Sequence, residues 1–316
     1  MATKKIIAVI GSTGAQGGGL ARAILADKSG EFTLRAITRK AESEKAKALA
    51  KAGAEVVTAD MNDATSIRHA FEGAHGAYCV TNYWEHFSGD TELRHAKIMA
   101  HALKQSGVKH AIWSTLEDVR KFYPLSDTRM PTIDGKWKCP HFDAKGEADQ
   151  HFLDAGVPTT FLLASFYWEN FIYFGAGPKP GPDGTLALTF PMRDTKMDGI
   201  AAEDIGKCAY GIFKRGTSLT GKHIGISGGK LTIDEYAAGM AKALNRNVVY
   251  NKVTADAYRG FGFPGAVELG NMFQFYDECV KDVGGIRDIE TSRELNPQLQ
   301  TFDQWLAANA SKIPTT

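Results

Sequence analysis

Apolar runs of strand length alternate with helical stretches through the first half of the chain, and this alternation constrains the fold more than any other feature. The runs are Ile6–Ile10, Leu34–Thr38, Glu55–Ala59, Ala77–Thr81, His110–Ser114 and Thr159–Leu163. Between them, apolar residues recur at helical spacing, as in the Leu20-Ala21 and Ile24-Leu25 pairs. Apolar strands separated by helices form parallel sheets that are covered on both faces. The pattern therefore predicts an α/β protein with a doubly wound parallel sheet, the Rossmann fold.

The regular alternation ends near residue 165. A loop rich in glycine and proline follows at 177–184, and two capping boxes (Thr232 with Glu235, Thr301 with Gln304) each predict the start of a helix. We therefore expect a dinucleotide-binding domain over residues 1–164. Residues 165–316 are expected to form a smaller α+β lobe for the substrate, with elements that return to the Rossmann core.

A glycine-rich loop follows the first strand directly. Its residues are Gly11, Ser12, Thr13, Gly14, Ala15, Gln16 and Gly17, and a helical pattern begins at Leu20. In such loops the first glycine allows the tight turn, the second lets the backbone approach a pyrophosphate, and the third lets helix and strand pack closely. The pyrophosphate lies at the helix N-terminus, where unpaired N–H groups favour an anion. The spacing predicts a dinucleotide site that these seven residues form.

The residues after the second strand indicate which dinucleotide binds. NAD sites place an acidic residue there to hold the ribose 2′-hydroxyl, whereas this chain has Arg39 and Lys40, with Ser43 close by. A carboxylate would repel a 2′-phosphate, and an arginine can hold it with two hydrogen bonds. The sequence therefore favours NADP over NAD.

Polar turns at the ends of later strands predict the rest of the cofactor site, because open α/β sheets bind ligands at the carboxyl ends of their strands. Asp60 and Met61 are expected near the adenine, and Thr81, Asn82 and Tyr83 near the nicotinamide ribose. The remaining predicted cofactor contacts are Arg94, Lys145, Tyr167, Trp168, Glu169 and Asn170.

Charge and cysteine content exclude several classes of protein. The chain has 316 residues and a formal net charge of +1, so bulk basicity cannot drive nucleic-acid binding. The four cysteines are scattered without a Cys-x-x-Cys pair, which argues against a disulfide framework and against a metal site. No run approaches the roughly 20 apolar residues of a membrane span. We expect a cytoplasmic protein, with the nucleus as the alternative.

Further motifs extend over the whole chain. They are Gly11–Gly18, Thr81–Trp84, His141–Glu147, Tyr167–Asn170, Met197–Gly199, Gly262–Ala266 and Leu295–Pro297. In these stretches the chain resembles the NmrA-like family of atypical short-chain dehydrogenases/reductases. The resemblance implies NADP(H) binding and a redox-sensing regulator that changes shape and partners with the cofactor. A regulatory protein partner and a homodimer are compatible with that function.

Classical members of that superfamily use a Tyr-x-x-x-Lys pair on a helix, after a serine that ends the fifth strand. Here the serine is Ser114, Lys145 is present, and His141 occupies the tyrosine position. Without the tyrosine, Lys145 would only hold the cofactor ribose, as in a sensor. Alternatively, the protein reduces a quinone, carbonyl or imine with NADPH, and His141 or Lys145 supplies the proton. The resemblance favours the sensor.

A long aperiodic segment at 119–140 precedes His141. Aperiodic loops of this length inside a compact domain are usually lids or binding loops. We expect it to cover the substrate side of the nicotinamide, and Tyr167–Asn170 to form the opposite wall.

Overall fold

The computed structural model describes residues 4–279 and 286–316. The strands are β1 (Lys5–Ile10), β2 (Phe32–Thr38), β3 (Glu55–Thr58), β4 (Gly76–Cys79), β5 (His110–Thr115), β6 (Thr159–Leu163), β7 (Phe166–Tyr167), β8 (Lys179–Pro180), β9 (Leu186–Phe190), β10 (Met197–Ile200), β11 (His223–Ile226), β12 (Gly229–Leu231), β13 (Val248–Lys252) and β14 (Arg287–Asp288). The helices are α1 (Ala15–Ala26), α2 (Glu44–Lys51), α3 (Ala64–Phe71), α4 (Gly89–Gln105), α5 (Pro140–Ala155), α6 (Asn170–Tyr173), α7 (Ala202–Lys214), α8 (Ile233–Leu244), α9 (Ala255–Arg259), α10 (Ala266–Glu278), α11 (Ile289–Leu295) and α12 (Phe302–Asn309). None of the helices in the described ranges is both long and apolar enough to cross a membrane.

The main sheet has the strand order β3-β2-β1-β4-β5-β6-β11-β14, and the neighbouring strands pair in parallel. Alternate residues of β1 belong to different cores: Ile7 and Val9 pack on one face, Ala8 and Ile10 on the other. Both faces are therefore covered by helices, which explains why the strands are apolar throughout. The fold class predicted from the sequence is confirmed.

The order of the chain reverses between β1 and β4, so a crevice opens at the carboxyl ends of these two strands. Ligands bind at such switch points in open α/β sheets. The strand β4 ends at Cys79, two residues earlier than the sequence indicates. Thr81 consequently lies beyond the strand, at the edge of the crevice.

The C-terminal half adds two small sheets, β7-β10-β12 and β8-β9-β13, around an aromatic core. Both predicted capping boxes occur, at the start of α8 and of α12. The strands β11 and β14 join the main sheet. A buried ion pair between Arg287 and Glu117 joins β14 to the loop after β5, and Arg287 Nε also donates to Ala164 O (2.9 Å). The domain division at residues 164/165 stays a prediction.

Buried hydrogen bonds hold segment 119–140 in place, and none of its residues lines the crevice. The side chain of Lys138 is fully buried, and its Nζ donates to the carbonyls of Asp127 and Met130 (both 2.7 Å). Asp143 accepts the N–H groups of Lys138 (2.7 Å) and Val119 (2.8 Å), although burial raises the pKa of this carboxyl to about 6. The segment supports α10, which itself forms a wall of the crevice, so the expectation that it covers the nicotinamide directly is not met.

Candidate functional site

One continuous cavity of about 740 Å³ lies at the carboxyl ends of β1, β4, β5 and β6. It runs from the glycine-rich loop to a compartment between α5, α9 and α10. The structure brings many of the predicted site residues to its wall. These are Gly11, Ala15, Gln16, Gly17, Thr81, Asn82, Tyr83, His141, Lys145, Tyr167 and Asn170.

The glycine-rich loop has the shape that a pyrophosphate requires. Gly11 adopts φ +65°, and a Cβ at Gly17 would lie 2.5 Å from the carbonyl oxygen of Gly11, so any side chain there would displace the loop. At the N-cap of α1, Gly14 leaves the first N–H groups without a side-chain partner, and the first turn has no acidic residue. Uncapped N–H groups with no competing carboxylate suit an anionic group. The loop therefore fits a dinucleotide.

Two other loop residues hold the loop in place. Ser12 is buried, and its hydroxyl donates to Ile37 O (3.1 Å) at the end of β2. Gln16 joins two tyrosines, because its amide accepts from Tyr78 Oη and donates to Tyr167 Oη. Burial raises the pKa of Tyr167 to about 12, so this wall residue is a neutral phenol near pH 7.

Lys145 forms a buried polar cluster beside the cavity. Its Nζ donates to Thr81 Oγ1 (2.6 Å) and lies 3.1 Å from Glu92 Oε2, while Thr81 Oγ1 donates to the same carboxylate (2.5 Å). The Glu92 side chain is only 1% exposed. Burial opposes its ionisation, but the charge of Lys145 and the hydrogen bonds from His86, Thr81 and Lys145 together lower the pKa of Glu92 to about 2. Lys145 is therefore fixed at the cavity edge by a carboxylate from α4.

His141 forms a second buried cluster, four residues earlier on the same helix. Its Nδ1 lies 2.6 Å from Glu268 Oε1, and its backbone N–H donates to that oxygen as well (2.7 Å). Both side chains are less than 10% exposed. Burial and the nearby charge of Glu268 raise the pKa of Tyr83 well above its ordinary value, so Tyr83 is a neutral phenol. Glu268 fixes the orientation of the imidazole.

Cys139 adds a third side chain of a type that can bind a metal ion to this cluster. Its Sγ lies 3.5 Å from His141 Nδ1. The three metal-binding atoms, one each from Cys139, His141 and Glu268, all lie within 4.8 Å of one another. Burial raises the pKa of the Cys139 thiol well above its ordinary value. In the absence of a metal ion, this thiol is therefore protonated near pH 7.

Aromatic side chains line the compartment beyond Lys145 and His141. Trp84 lies with its ring centroid 4.9 Å from that of His141 and 4.8 Å from that of Phe174. The other walls come from α5, α9 and α10 and from the loop between α9 and α10. Their aromatic residues are Phe142, Tyr258, Phe263, Phe273 and Tyr276. Such walls suit a planar, apolar molecule.

The predicted 2′-phosphate residues lie outside this cavity wall, on an exposed rim. Arg39 is exposed and forms an ion pair with Glu85, which follows Tyr83 in a short 3₁₀ turn. Lys40 is exposed. Ser43 caps α2, accepting from Ala46 N–H (3.3 Å). Arg39 is accessible to a ligand, but a carboxylate occupies it here.

The predicted adenine residues form a polar turn next to this rim. Asp60 Oδ1 accepts the N–H of Asn62 (2.8 Å), and this bond, together with the charge of Arg39, lowers the pKa of Asp60. Arg94 donates to Asn62 Oδ1 (3.0 Å). Met61 is half-buried, as is Thr13 in the glycine-rich loop. The turn places polar and charged groups together near Arg39.

In the predicted stretch 167–170, two residues point away from the cavity. Trp168 is fully buried in the C-terminal core, where its Nε1 donates to Tyr236 Oη (3.3 Å). Glu169 accepts from Trp305 Nε1 (2.9 Å) and from Ala202 N–H (2.8 Å). In the stretch 167–170 only the first and last side chains face the crevice, while the middle two stabilise the lobe.

Sequence reasoning missed the two carboxylates that hold Lys145 and His141. Glu92 lies within a helix of ordinary amphipathic pattern, so nothing local marks it. Glu268 lies just after the Gly262–Ala266 motif, and that motif is a sequence signal that could have located it. Gly265 has φ +86° and begins α10, which places Glu268 in the first turn facing His141.

Comparisons with known proteins agree with this architecture. A family model described as the NmrA-like family matches residues 3–306. An NmrA-like family domain-containing protein of Dictyostelium discoideum is 29% identical over 314 residues, which is 96% of this chain and 97% of that protein. An NmrA-like family domain-containing oxidoreductase of Cladobotryum sp is 29% identical over 289 residues, 85% of this chain and 83% of that protein.

Two solved structures share the fold over nearly the full length. NmrA, a negative transcriptional regulator solved in complex with NADP, is 24% identical with a TM-score of 0.78, covering 97% of this chain and 95% of that one. The Citrobacter sp. triphenylmethane reductase complexed with NADP(H) is 19% identical with a TM-score of 0.75, covering 96% and 99%. At these identities the likeness shows the fold alone. Because the family model spans almost the whole sequence, the chain belongs to the NmrA-like family.

Proposed function

We propose that the protein is an NADPH-dependent reductase. The observation that carries the proposal is the continuous cavity, which joins the glycine-rich loop to an aromatic compartment with Lys145 and His141 at the junction. A protein that only bound the dinucleotide would have no use for a preformed apolar compartment beyond the nicotinamide end. The relative from Cladobotryum sp carries the name oxidoreductase, which supports the same class.

The residues present suit NADP(H) along the cavity and on the exposed rim beside it. The uncapped start of α1 would hold the pyrophosphate, and Arg39 the 2′-phosphate. Thr81 and Lys145 would hold the nicotinamide ribose. When bound, NADPH supplies a hydride at its nicotinamide ring. The aromatic walls would orient a flat substrate beside it and exclude water.

A panel of aromatic acceptors tests this proposal. Oxidation of NADPH is followed by absorbance with a quinone, an aromatic aldehyde, an imine and a triarylmethyl cation. We expect turnover of at least one acceptor, with NADPH preferred over NADH. Tight NADP(H) binding without turnover of any acceptor would contradict the reductase.

A redox-sensing regulator is the second candidate. It is favoured by His141 at the position where classical members carry tyrosine, and by the likeness to NmrA, itself a negative transcriptional regulator. In that case NADP+ and NADPH should have different effects on shape or on binding of a protein partner. Small-angle scattering with each form of the cofactor tests this, and identical profiles with brisk turnover would contradict the sensor.

A further inference from the structure

We propose that His141 and Glu268 form an acid–base dyad in which His141 donates the proton that a reduced carbonyl or imine takes up. Glu268 acts as its positioning residue. The inference rests on the proposed reductase function and adds the source of the proton. It assigns to a histidine and a distant glutamate the role that a tyrosine has in classical short-chain dehydrogenases/reductases.

The two ring nitrogens of His141 have different surroundings, because Nδ1 contacts Glu268 and Nε2 does not. Glu268 Oε1 lies 2.6 Å from His141 Nδ1 and accepts the backbone N–H of the same residue (2.7 Å), so ring and helix start are held by one oxygen. The ring itself lines the cavity. Within residues 4–279 and 286–316, its Nε2 has no hydrogen-bond partner. A carboxylate at Nδ1 fixes the orientation of the ring, so that Nε2 is the nitrogen that can exchange a proton with a bound substrate.

Lys145 is the competing proton donor, and its surroundings favour another role. Its ammonium is held between Thr81 Oγ1 (2.6 Å) and Glu92 Oε2 (3.1 Å), both buried. An ammonium held between a hydroxyl and a buried carboxylate is fixed in position, which suits a cation beside a ribose. The two residues lie four positions apart on α5, so they face the same side of the helix. The structure thus separates a cofactor-holding cation from a proton donor.

The reduction of an aldehyde balances with one proton from the dyad. The carbonyl carbon accepts a hydride from NADPH, the C=O double bond becomes a single bond, and the oxygen takes the proton from His141 Nε2. The products are an alcohol, NADP+ and a neutral imidazole, which water re-protonates. A triarylmethyl cation differs, because its central carbon needs only the hydride and no heteroatom is protonated.

Two substrates test this difference: 2-naphthaldehyde, whose reduction needs a proton, and malachite green, a triarylmethyl cation whose reduction does not. In His141→Ala we expect kcat for the aldehyde to fall by 10²–10⁴-fold, the range of general acid catalysis, and kcat for malachite green to fall at least tenfold less. His101→Ala, an exposed histidine on α4, is the control and should reduce both probes normally. Equal losses for both probes would overturn the dyad, as would unchanged rates for both. A wild-type protein that reduces malachite green but no aldehyde would also overturn it.

The role of Glu268 is tested by Glu268→Gln and Glu268→Asp. Glutamine keeps the volume and removes the charge, so the aldehyde rate should fall at least tenfold more than the malachite green rate does. Aspartate should recover part of the lost aldehyde rate. Glu278→Gln lies at the exposed end of the same helix and is the matched control. Failure of wild type with both probes would overturn the proposed reductase and the dyad's role with it, whereas turnover without a selective loss overturns the dyad alone.

A readout independent of turnover uses histidine-labelled protein without cofactor. The proton on His141 Nδ1 should give a strongly downfield NMR signal in wild type, and that signal should disappear or shift upfield in Glu268→Gln. An unchanged signal would overturn the assignment of Glu268. Dialysis against a chelator should leave the aldehyde rate unchanged, and loss of activity restored by added Zn²⁺ would assign Cys139, His141 and Glu268 to a metal site instead.

Discussion

The two ends of the proposed cofactor site differ in how their charged groups are held. At the adenine end, Arg39 is more than half exposed, and its partner Glu85 is 43% exposed. At the nicotinamide end, Lys145 and Glu92 are 10% and 1% exposed, and a hydroxyl bridges them. The same pair of charge types is therefore screened by water at one end and largely desolvated at the other.

The contrast indicates which parts of the proposed site would already be formed before a cofactor binds. The nicotinamide end is preorganised, because Lys145 and His141 are each held by a buried carboxylate before any ligand arrives. At the adenine end a ligand phosphate would have to displace Glu85 from Arg39. Affinity should thus depend strongly on substitutions at the buried end and moderately on those at the exposed end.

The largest effect is expected from Lys145→Met. Loss of the ammonium leaves Glu92 buried without its cation, at a cost of about 3–5 kcal/mol in the free energy of unfolding. Adding Glu92→Gln should restore most of that stability, since the uncompensated charge is then gone. Urea unfolding of the two single variants and the double variant measures the interaction. A double variant no more stable than Lys145→Met would contradict this account of the cluster.

The same pair predicts how stability depends on pH. A lowered pKa in the folded state means that the ionised form is stabilised, so the Glu92 contribution is complete above its unfolded value of 4.5 and is lost as the pH falls towards about 2. The shift corresponds to about 3 kcal/mol. In the Lys145→Met/Glu92→Gln variant this part of the acid destabilisation should disappear, and an unchanged profile between pH 5 and 2 would contradict the assignment.

The sequence predicts the locally encoded parts of the molecule well and the contacts between distant residues poorly. The glycine-rich loop, the six N-terminal strands and both capping boxes depend on residues within about one element of each other, and local patterns predict them well. Glu92 and Glu268 reach Lys145 and His141 from α4 and α10, over 53 and 127 residues of chain. The Gly262–Ala266 motif marks the start of α10, but no local pattern shows which distant residue either carboxylate contacts. The orientation of the side chains in 167–170, with Trp168 and Glu169 directed away from the cavity, likewise depends on packing.

An intermediate effect is expected from Arg39→Asp. If Arg39 holds the 2′-phosphate, reversing its charge should weaken NADP binding at least tenfold, about 1.4 kcal/mol, and leave NAD binding nearly unchanged. Titration calorimetry with both dinucleotides measures the change in preference. Lys47→Asp, the same reversal at an exposed position on α2, is the control. Equal affinities of the wild type for NADP and NAD would refute the assignment.

The smallest effect is expected from Glu85→Gln, which removes the carboxylate that competes with the 2′-phosphate for Arg39. Exposed ion pairs contribute about 0.2–1 kcal/mol, so NADP should bind roughly two- to threefold more tightly at low ionic strength. The gain should shrink at high salt, where exposed charges are screened, and NAD affinity should not follow it. Glu42→Gln, an exposed carboxylate beside Lys47, is the matched control. Weaker NADP binding in Glu85→Gln would mean that Glu85 orients Arg39 for the phosphate, and the adenine end would then be preorganised as the nicotinamide end is.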